Sequence, residues 1–533
     1  MKENNNLLSN DIKQILKKCR EDACFFISNF CVRPDNISEK INLDARPKQK
    51  EIVNSYLNNH FIIINSSRQV GKTTLIEALI LWHVLFFPSY SVGILSRSGE
   101  LTVKIISEIA TIYENLPLFF RKMVRYTVDN ARTKKFSNYS SIESIIVEKN
   151  KPENAGRGCR HGLLFIDEGA FIEHMDIVYS SLEPVTSSKH KDCMKLGYPY
   201  GIIISSTPNG VEGIGEWYYT IWNLSLDNKT EYKPIQFHWR DAGFSEEEMA
   251  KKRERLNDEL KYMQEYELYF LSGENSFLDA DSSLRLQKGK RDPLYKIKSK
   301  DNYTVTMWDK IQSDRQYIVS IDTASETGTS DQAFLVAEYT EDGNIKFIGE
   351  GYDKIPIISF TDSIVEILNK LFDDKSNYFI IIEHNYLGEA VIDTIRTKYP
   401  DMYSKIYTHK AVKKDNTYVI TKGIQTTAKT KNLMADALSQ YLNMNHDIID
   451  ELILPHTLIR QILSLQYNRV SQRLSVPKGM KDDLIMCACF ILYLKFFETK
   501  EFNEHIARCR MTSDQHVEAL GKVLSMYQAR YGR

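Results

Sequence analysis

The run Ser66-Ser67-Arg68-Gln69-Val70-Gly71-Lys72-Thr73-Thr74 follows an apolar segment, Phe61-Ile62-Ile63-Ile64-Asn65, and opens a helical pattern at Thr73. A tight turn between a strand and a helix N-terminus presents backbone N–H groups and a favourable dipole to phosphate oxygens. In that frame Ser67, Arg68, Gln69, Val70, Gly71 and Thr74 surround the phosphates of ATP. Lys72 reaches the β- and γ-phosphates, and the Thr73 hydroxyl ligates Mg2+. The loop departs from GxxxxGK[ST] at Ser66, which stands where the first glycine belongs.

Leu163-Leu164-Phe165-Ile166-Asp167-Glu168 is an apolar strand that ends in two acids. Beside a phosphate loop, Asp167 would hold the metal, directly or through water, and Glu168 would polarise the attacking water. The two segments together imply ATP hydrolysis. Arg68, and Arg157 in Asn154-Ala155-Gly156-Arg157-Gly158, are both placed to stabilise charge on a transferring phosphoryl group. Another apolar strand ends in Ser205-Ser206-Thr207-Pro208-Asn209-Gly210. Its hydroxyls could sense the γ-phosphate, and Pro-Asn-Gly is also strong turn chemistry.

A second set of acids lies further along. Asp322 ends the strand Ile318-Val319-Ser320-Ile321, and Asp331 follows a small polar turn. Glu383 ends Ile380-Ile381-Ile382, and Asp482-Asp483 open an apolar helix. Acids far apart in sequence, each terminating an apolar element, suit a site for two divalent ions that cleaves phosphodiesters. Their hard oxygens select Mg2+ or Mn2+.

The elements that must position these residues are legible as patterns. In the first half, apolar runs at 61–65, 91–95, 163–166 and 201–205 alternate with helical stretches, which predicts a parallel sheet covered on both faces. After residue 306 strands dominate, at 317–322, 333–338, 344–349 and 378–383, with helices at 388–398, 431–442 and 482–497. Between them, 285–300 carries seven basic residues against Asp292, with Gly289 and Pro293, and reads as a basic connector. The expected division is an ATPase domain over 1–280, a basic linker over 281–305, a nuclease domain over 306–498 and a tail over 499–533.

The chain has 533 residues and a formal net charge of -1, so any contact with nucleic acid must come from local basic surfaces. No stretch approaches the ~20 apolar residues of a membrane span. Its eight cysteines are scattered, which favours a reduced, intracellular protein without a membrane role.

In order, SRQVGKTT, FIDEGAF, SSTPNG, SIDTA, IIEHN and DDLIM resemble the large terminase subunit of tailed bacteriophages, from about Leu43 to Phe490. The resemblance implies an α/β protein: an N-terminal P-loop (RecA/ASCE-like) ATPase domain followed by a ribonuclease-H-like nuclease domain. It implies that Gln49, in Leu43-Asp44-Ala45-Arg46-Pro47-Lys48-Gln49, reads adenine, and that Arg68 and Arg157 are the cis and trans arginines. It makes Asp322, Glu383 and Asp483 the nuclease metal ligands, with Asp331 and Asp482 as auxiliaries. The stretch 423–442, with Thr426, Thr427 and Lys429, is similar to a segment near the nuclease groove. Implied partners are double-stranded DNA, the portal of a procapsid and a small terminase subunit. A homo-pentamer on the portal is implied, with a monomer open in solution, in the host cytoplasm and outside the mature virion. A helicase or translocase with an attached nuclease shares the first two motifs, but it should carry a second RecA-like lobe after residue 300.

Overall fold

The protein is described by a computed structural model covering residues 10–148, 150–156, 160–273, 276–323, 331–373, 377–384, 386–412, 418–468, 473–477 and 480–510. Arg157 lies outside these residues. The chain divides into two units, Met1–Gly273 and Glu274–Arg533.

In the first unit a small hairpin, β1 (Val32–Arg33) and β2 (Asn36–Lys40), precedes the main sheet. The sheet's strands are β3 (Phe61–Ser66), β4 (Ser91–Leu95), β5 (Tyr126–Asp129), β6 (Thr133–Phe136), β7 (Ser141–Ser144), β8 (Leu163–Asp167), β9 (Gly201–Ser206) and β10 (Lys233–Phe237). Their order is β10-β3-β9-β8-β4-β7-β6-β5. The neighbours from β10 to β7 are parallel. The central strands β3, β8 and β9 are near-continuous apolar runs, as a parallel sheet buried on both faces requires. The helix Lys72–Phe86 is buried at every position from Leu75 onward. The parallel expectation fails at one edge. There β6 pairs antiparallel with both β7 and β5, and these strands are short and partly polar, so they carry little strand signal in the sequence.

The second unit contains β11 (Tyr295–Lys298), β12 (Thr304–Met307), β13 (Gln316–Asp322), β14 (Gln332–Tyr339), β15 (Ile345–Asp353) and β16 (Asn377–Ile382), in the order β11-β12-β15-β14-β13-β16. The first five are antiparallel neighbours, and β16 runs parallel to β13. Two hairpins follow, β17 (Thr408–Val412) with β18 (Tyr418–Lys422), and β19 (Gln466–Asn468) with β20 (Arg473–Ser475). Alternate residues of β13 and β16 serve opposite faces. Ile318, Phe379 and Ile381 join the core made with helices Ala428–Met444 and Asp483–Phe497. Val319, Ile321, Ile380 and Ile382 join the core made with helices Ile357–Leu371 and Tyr386–Lys398.

Residues 281–305 are not a linker. They hold most of the helix Ala280–Lys288 and the edge strand β11, where Lys296 and Lys298 face solvent while Tyr295 and Ile297 are half-buried. Lysines on an edge strand discourage pairing with another chain, which accounts for their density without a ligand. Nor is residue 499 where the packed structure stops, because the helix Thr499–Arg510 adds Phe502 and Ile506 to the core. Among the described residues, no helix is long and apolar enough to cross a membrane.

Candidate active sites

Strand β3 delivers the phosphate loop and the helix Lys72–Phe86 leaves it, one residue earlier than expected. Gly71 caps that helix at φ 81, and Gln69 also has a positive φ, 63°. A Cβ at position 71 would lie 2.9 Å from the movable Gln49 Nε2, so the backbone angle rather than space favours glycine. The buried Gln49 donates from Nε2 to the Val70 and Gly71 carbonyls, at 3.3 and 3.4 Å, and its Oε1 has no partner. The loop is tied to the segment after β10. The Ser67 N–H donates to Phe237 O, Ser67 Oγ donates to Tyr266 O at 2.6 Å, and the Arg68 N–H donates to Glu265 O. The Arg68 guanidinium pairs with Glu265 at 3.3 Å, and Lys252 Nζ donates to Gln69 Oε1 at 2.7 Å.

Because β9 lies between β3 and β8, three strand ends converge beside the loop. Lys72 Nζ sits 3.9 Å from Asp167 Oδ1, and Ser205 Oγ donates to the same oxygen at 2.8 Å. Ser206 Oγ accepts the Ala170 N–H at 3.1 Å, which steadies the turn after β8. Glu168 adopts a left-handed backbone, φ 52, uncommon for a residue with a Cβ. Arg97, just after β4, holds it through Nε to Oε2 at 2.9 Å. In the loop's helix, Glu77 is fully buried and neither carboxyl oxygen has a hydrogen-bond partner. Burial, with Glu108 and Asp167 nearby, pushes its pKa well above the ordinary carboxylate range. The donors suit a magnesium–nucleotide: an ammonium, the Thr73 hydroxyl, the Asp167 carboxylate, a helix N-terminus, and the unpartnered Gln49 Oε1 as an acceptor.

In the second unit Asp322 ends β13. Glu383 follows the adjacent parallel strand β16, its N–H reaching Ile321 O at 3.4 Å. Asp483 opens a helix packed on β13 and β14, and its Oδ2 accepts the Asp331 N–H at 3.0 Å. Burial first, then Glu383, Asp483 and Asp482, push the Asp322 pKa well above the usual range. Burial pushes Asp483 up to about 6. The Asp331 carboxylate is buried against Lys481 at 3.0 Å, while its backbone N–H donates to Asp483. The crowded hard oxygens of Asp322, Glu383, Asp482 and Asp483 match divalent magnesium or manganese in chemistry and in the charge they need neutralised. Among the described residues, no three His, Cys, Asp or Glu side chains converge closely enough to hold an ion as they stand.

Residues 63–284 match the family model described as terminase large subunit, T4likevirus-type, N-terminal. Over those residues, less than half of its length, the chain is similar to the large-terminase family. Solved structures similar to this chain include the HK97 bacteriophage large terminase, at 13% identity over 89% of this chain and 99% of that one, TM-score 0.40. A large terminase from a thermophilic bacteriophage, in complex with ADP, is 12% identical over 84% of this chain and 99% of that one, TM-score 0.35. The ATPase domain of the Thermus phage P74-26 large terminase is 17% identical over 45% of this chain and 100% of that one, TM-score 0.35. At such identities and scores these structures carry no further argument, and the family likeness rests on the match over 63–284.

Two residues beside the candidate sites had no weight in the sequence reading. Arg97 belongs to no motif there; its signal is position, just past the end of the strand next to β8. Lys481 directly precedes Asp482-Asp483, and only the fold brings Asp331 to it.

Proposed function

We propose that this chain is a terminase large subunit, a DNA-packaging motor that hydrolyses ATP to move double-stranded DNA into a procapsid and cuts concatemeric DNA by two-metal phosphodiester hydrolysis. The convergence of Lys72, Asp167 and Ser205 beside a glycine-capped helix N-terminus carries the ATPase half of this reading. Lys72, Ser67, Arg68, Gln69, Val70, Gly71, Thr73 and Thr74 would bind the phosphates, and Gln49 would read adenine through its unpartnered Oε1. Glu168 would orient the attacking water and take up its proton. Arg68 is engaged with Glu265 and must leave it to reach a phosphate; Arg157 is the alternative source of positive charge.

The second unit is proposed as a ribonuclease-H-like nuclease domain, the first as the ATPase. An antiparallel run β15-β14-β13 joined by the parallel β16, with acids at the ends of β13 and β16, supports that assignment. Asp322, Glu383 and Asp483, with Asp482 beside them, would hold two Mg2+ or Mn2+ ions. Such ions, when bound, neutralise charge on the scissile phosphate and lower the pKa of water. The portal, a small terminase subunit and a homo-pentameric assembly in the host cytoplasm are the partners and setting we propose. The deciding assay is cleavage of circular double-stranded DNA with Mg2+ or Mn2+. Metal-dependent cleavage by wild type that disappears in Asp322→Ala is the expected result. Equal cleavage by both proteins would remove these acids from the chemistry.

A further inference from the structure

Three consecutive residues of the phosphate loop are gripped by the stretch of chain that follows β10. Ser67 Oγ donates to Tyr266 O at 2.6 Å and accepts the Trp239 N–H at 3.0 Å. The Arg68 N–H donates to Glu265 O at 3.0 Å, and Lys252 Nζ donates to Gln69 Oε1 at 2.7 Å. Glu265 ends the short helix Glu259–Glu265, whose Gln264 Nε2 donates to Pro208 O at 2.7 Å. The backbone of Arg68 is thus tied to Glu265, and its side chain is what a ligand can move.

That side chain rests on the same glutamate. Arg68 Nη1 lies 3.3 Å from Glu265 Oε2, with the arginine side chain 41% exposed and the glutamate side chain 7%. The pair is lopsided. The guanidinium loses little by turning towards solvent or a ligand, whereas the carboxylate would stay buried without its counter-charge. Removing one partner of a buried pair is costly because the other charge is left uncompensated. A phosphate can still draw the guanidinium away, because it offers negative charge and acceptors that suit the two-pronged donor.

We infer that Glu265 is a latch on Arg68 that competes with the phosphates of ATP for the guanidinium. The inference rests on reading this loop as the ATP site. Without nucleotide, Glu265 neutralises Arg68 at the mouth of the loop. When a phosphate takes the guanidinium, Glu265 is left buried and unpaired, and that cost weakens nucleotide binding. Glutamine at position 265 keeps the shape of the side chain and removes the charge, so it removes the cost.

The test is calorimetric binding of ATPγS with Mg2+ to the full-length protein. Glu265→Gln should bind at least about 5-fold tighter than wild type, the worth of a partly exposed ion pair. Most of that gain should vanish in an Arg68→Ala background, where there is no guanidinium to compete for. Glu265→Asp, a shorter acid that reaches Arg68 less well, should shift affinity in the same direction and keeps the test open if Glu265→Gln folds poorly. Wild-type or weaker affinity in these variants overturns the inference. So does an equal gain beside Arg68→Ala, because a general charge effect would then suffice. If wild type does not bind ATPγS, or Lys72→Ala binds it equally well, the ATP-site reading itself fails and the latch goes with it.

Discussion

Arg97 Nε lies 2.9 Å from Glu168 Oε2, an ion pair between a residue just past β4 and the acid just past the neighbouring β8. Glu168 already has a left-handed backbone, φ 52, a conformation that costs energy and persists only where its surroundings enforce it. The pair is partly exposed, so its worth to stability is small; its worth is in aiming one carboxylate.

Arg97→Ala should therefore lower kcat for ATP hydrolysis by about 10- to 100-fold, the cost of misplacing a reacting group by about an ångström. KM for ATP should change little, because the role of Arg97 is to aim Glu168 rather than to hold the nucleotide. A phosphate-release assay giving wild-type kcat would remove Arg97 from the site.

The two candidate sites lie in separate units, so their chemistries should come apart. Lys72→Ala and Glu168→Gln should each reduce ATP turnover by at least about 100-fold while metal-dependent DNA cleavage continues. Normal ATP hydrolysis in either variant would refute the assignment of that residue.

What the sequence made legible were features that lie along one strand or one turn. β3 with its glycine-capped helix, β8 ending in Asp167, and β13 and β16 ending beside acids all have their residues in local patterns. What stayed hidden depends on which elements become neighbours. Arg97 meets Glu168 because β4 pairs with β8, and the Asp331 N–H meets Asp483 because its segment reaches the Asp483 helix. The basic stretch at 285–300 misled for a different reason. Its charge density reads as solvated chain, yet Tyr295-Lys296-Ile297-Lys298 already carries the alternation of an edge strand.

Four acids crowd the second unit's candidate site, and two of them are pushed above the usual carboxylate range. An ion bound there should stabilise the folded protein. At 100 times its dissociation constant, Mn2+ should add about 2.7 kcal/mol, seen as a higher unfolding temperature for the transition that carries the second unit. Asp322→Ala should show none of this gain. An equal rise in both proteins would place the ion elsewhere.

Glu77 sets a pH dependence for the first unit. Its folded pKa is raised above the 4.5 of an unhindered carboxyl, chiefly by burial. The folded state therefore keeps a proton that the unfolded chain has released. The resulting penalty is absent below about pH 4.5, grows as pH rises, and is complete above the raised value. Glu77→Gln should gain on wild type progressively as pH rises above about 4.5. Parallel melting temperatures for the two proteins as pH rises would show that Glu77 is not protonated in the folded state.

Gly423 supplies a separate check on the geometry around Glu383. Alanine there must adopt φ near 87° and place its Cβ 2.5 Å from Ile382 O, so the backbone has to retreat from β16. That should cost about 1–3 kcal/mol of stability and carry the Thr426 hydroxyl away from Glu383, to which it donates. Gly423→Ala should then lower the unfolding temperature and weaken Mn2+ binding together. Intact stability in Gly423→Ala would mean that this close approach is not needed to hold the segment in place.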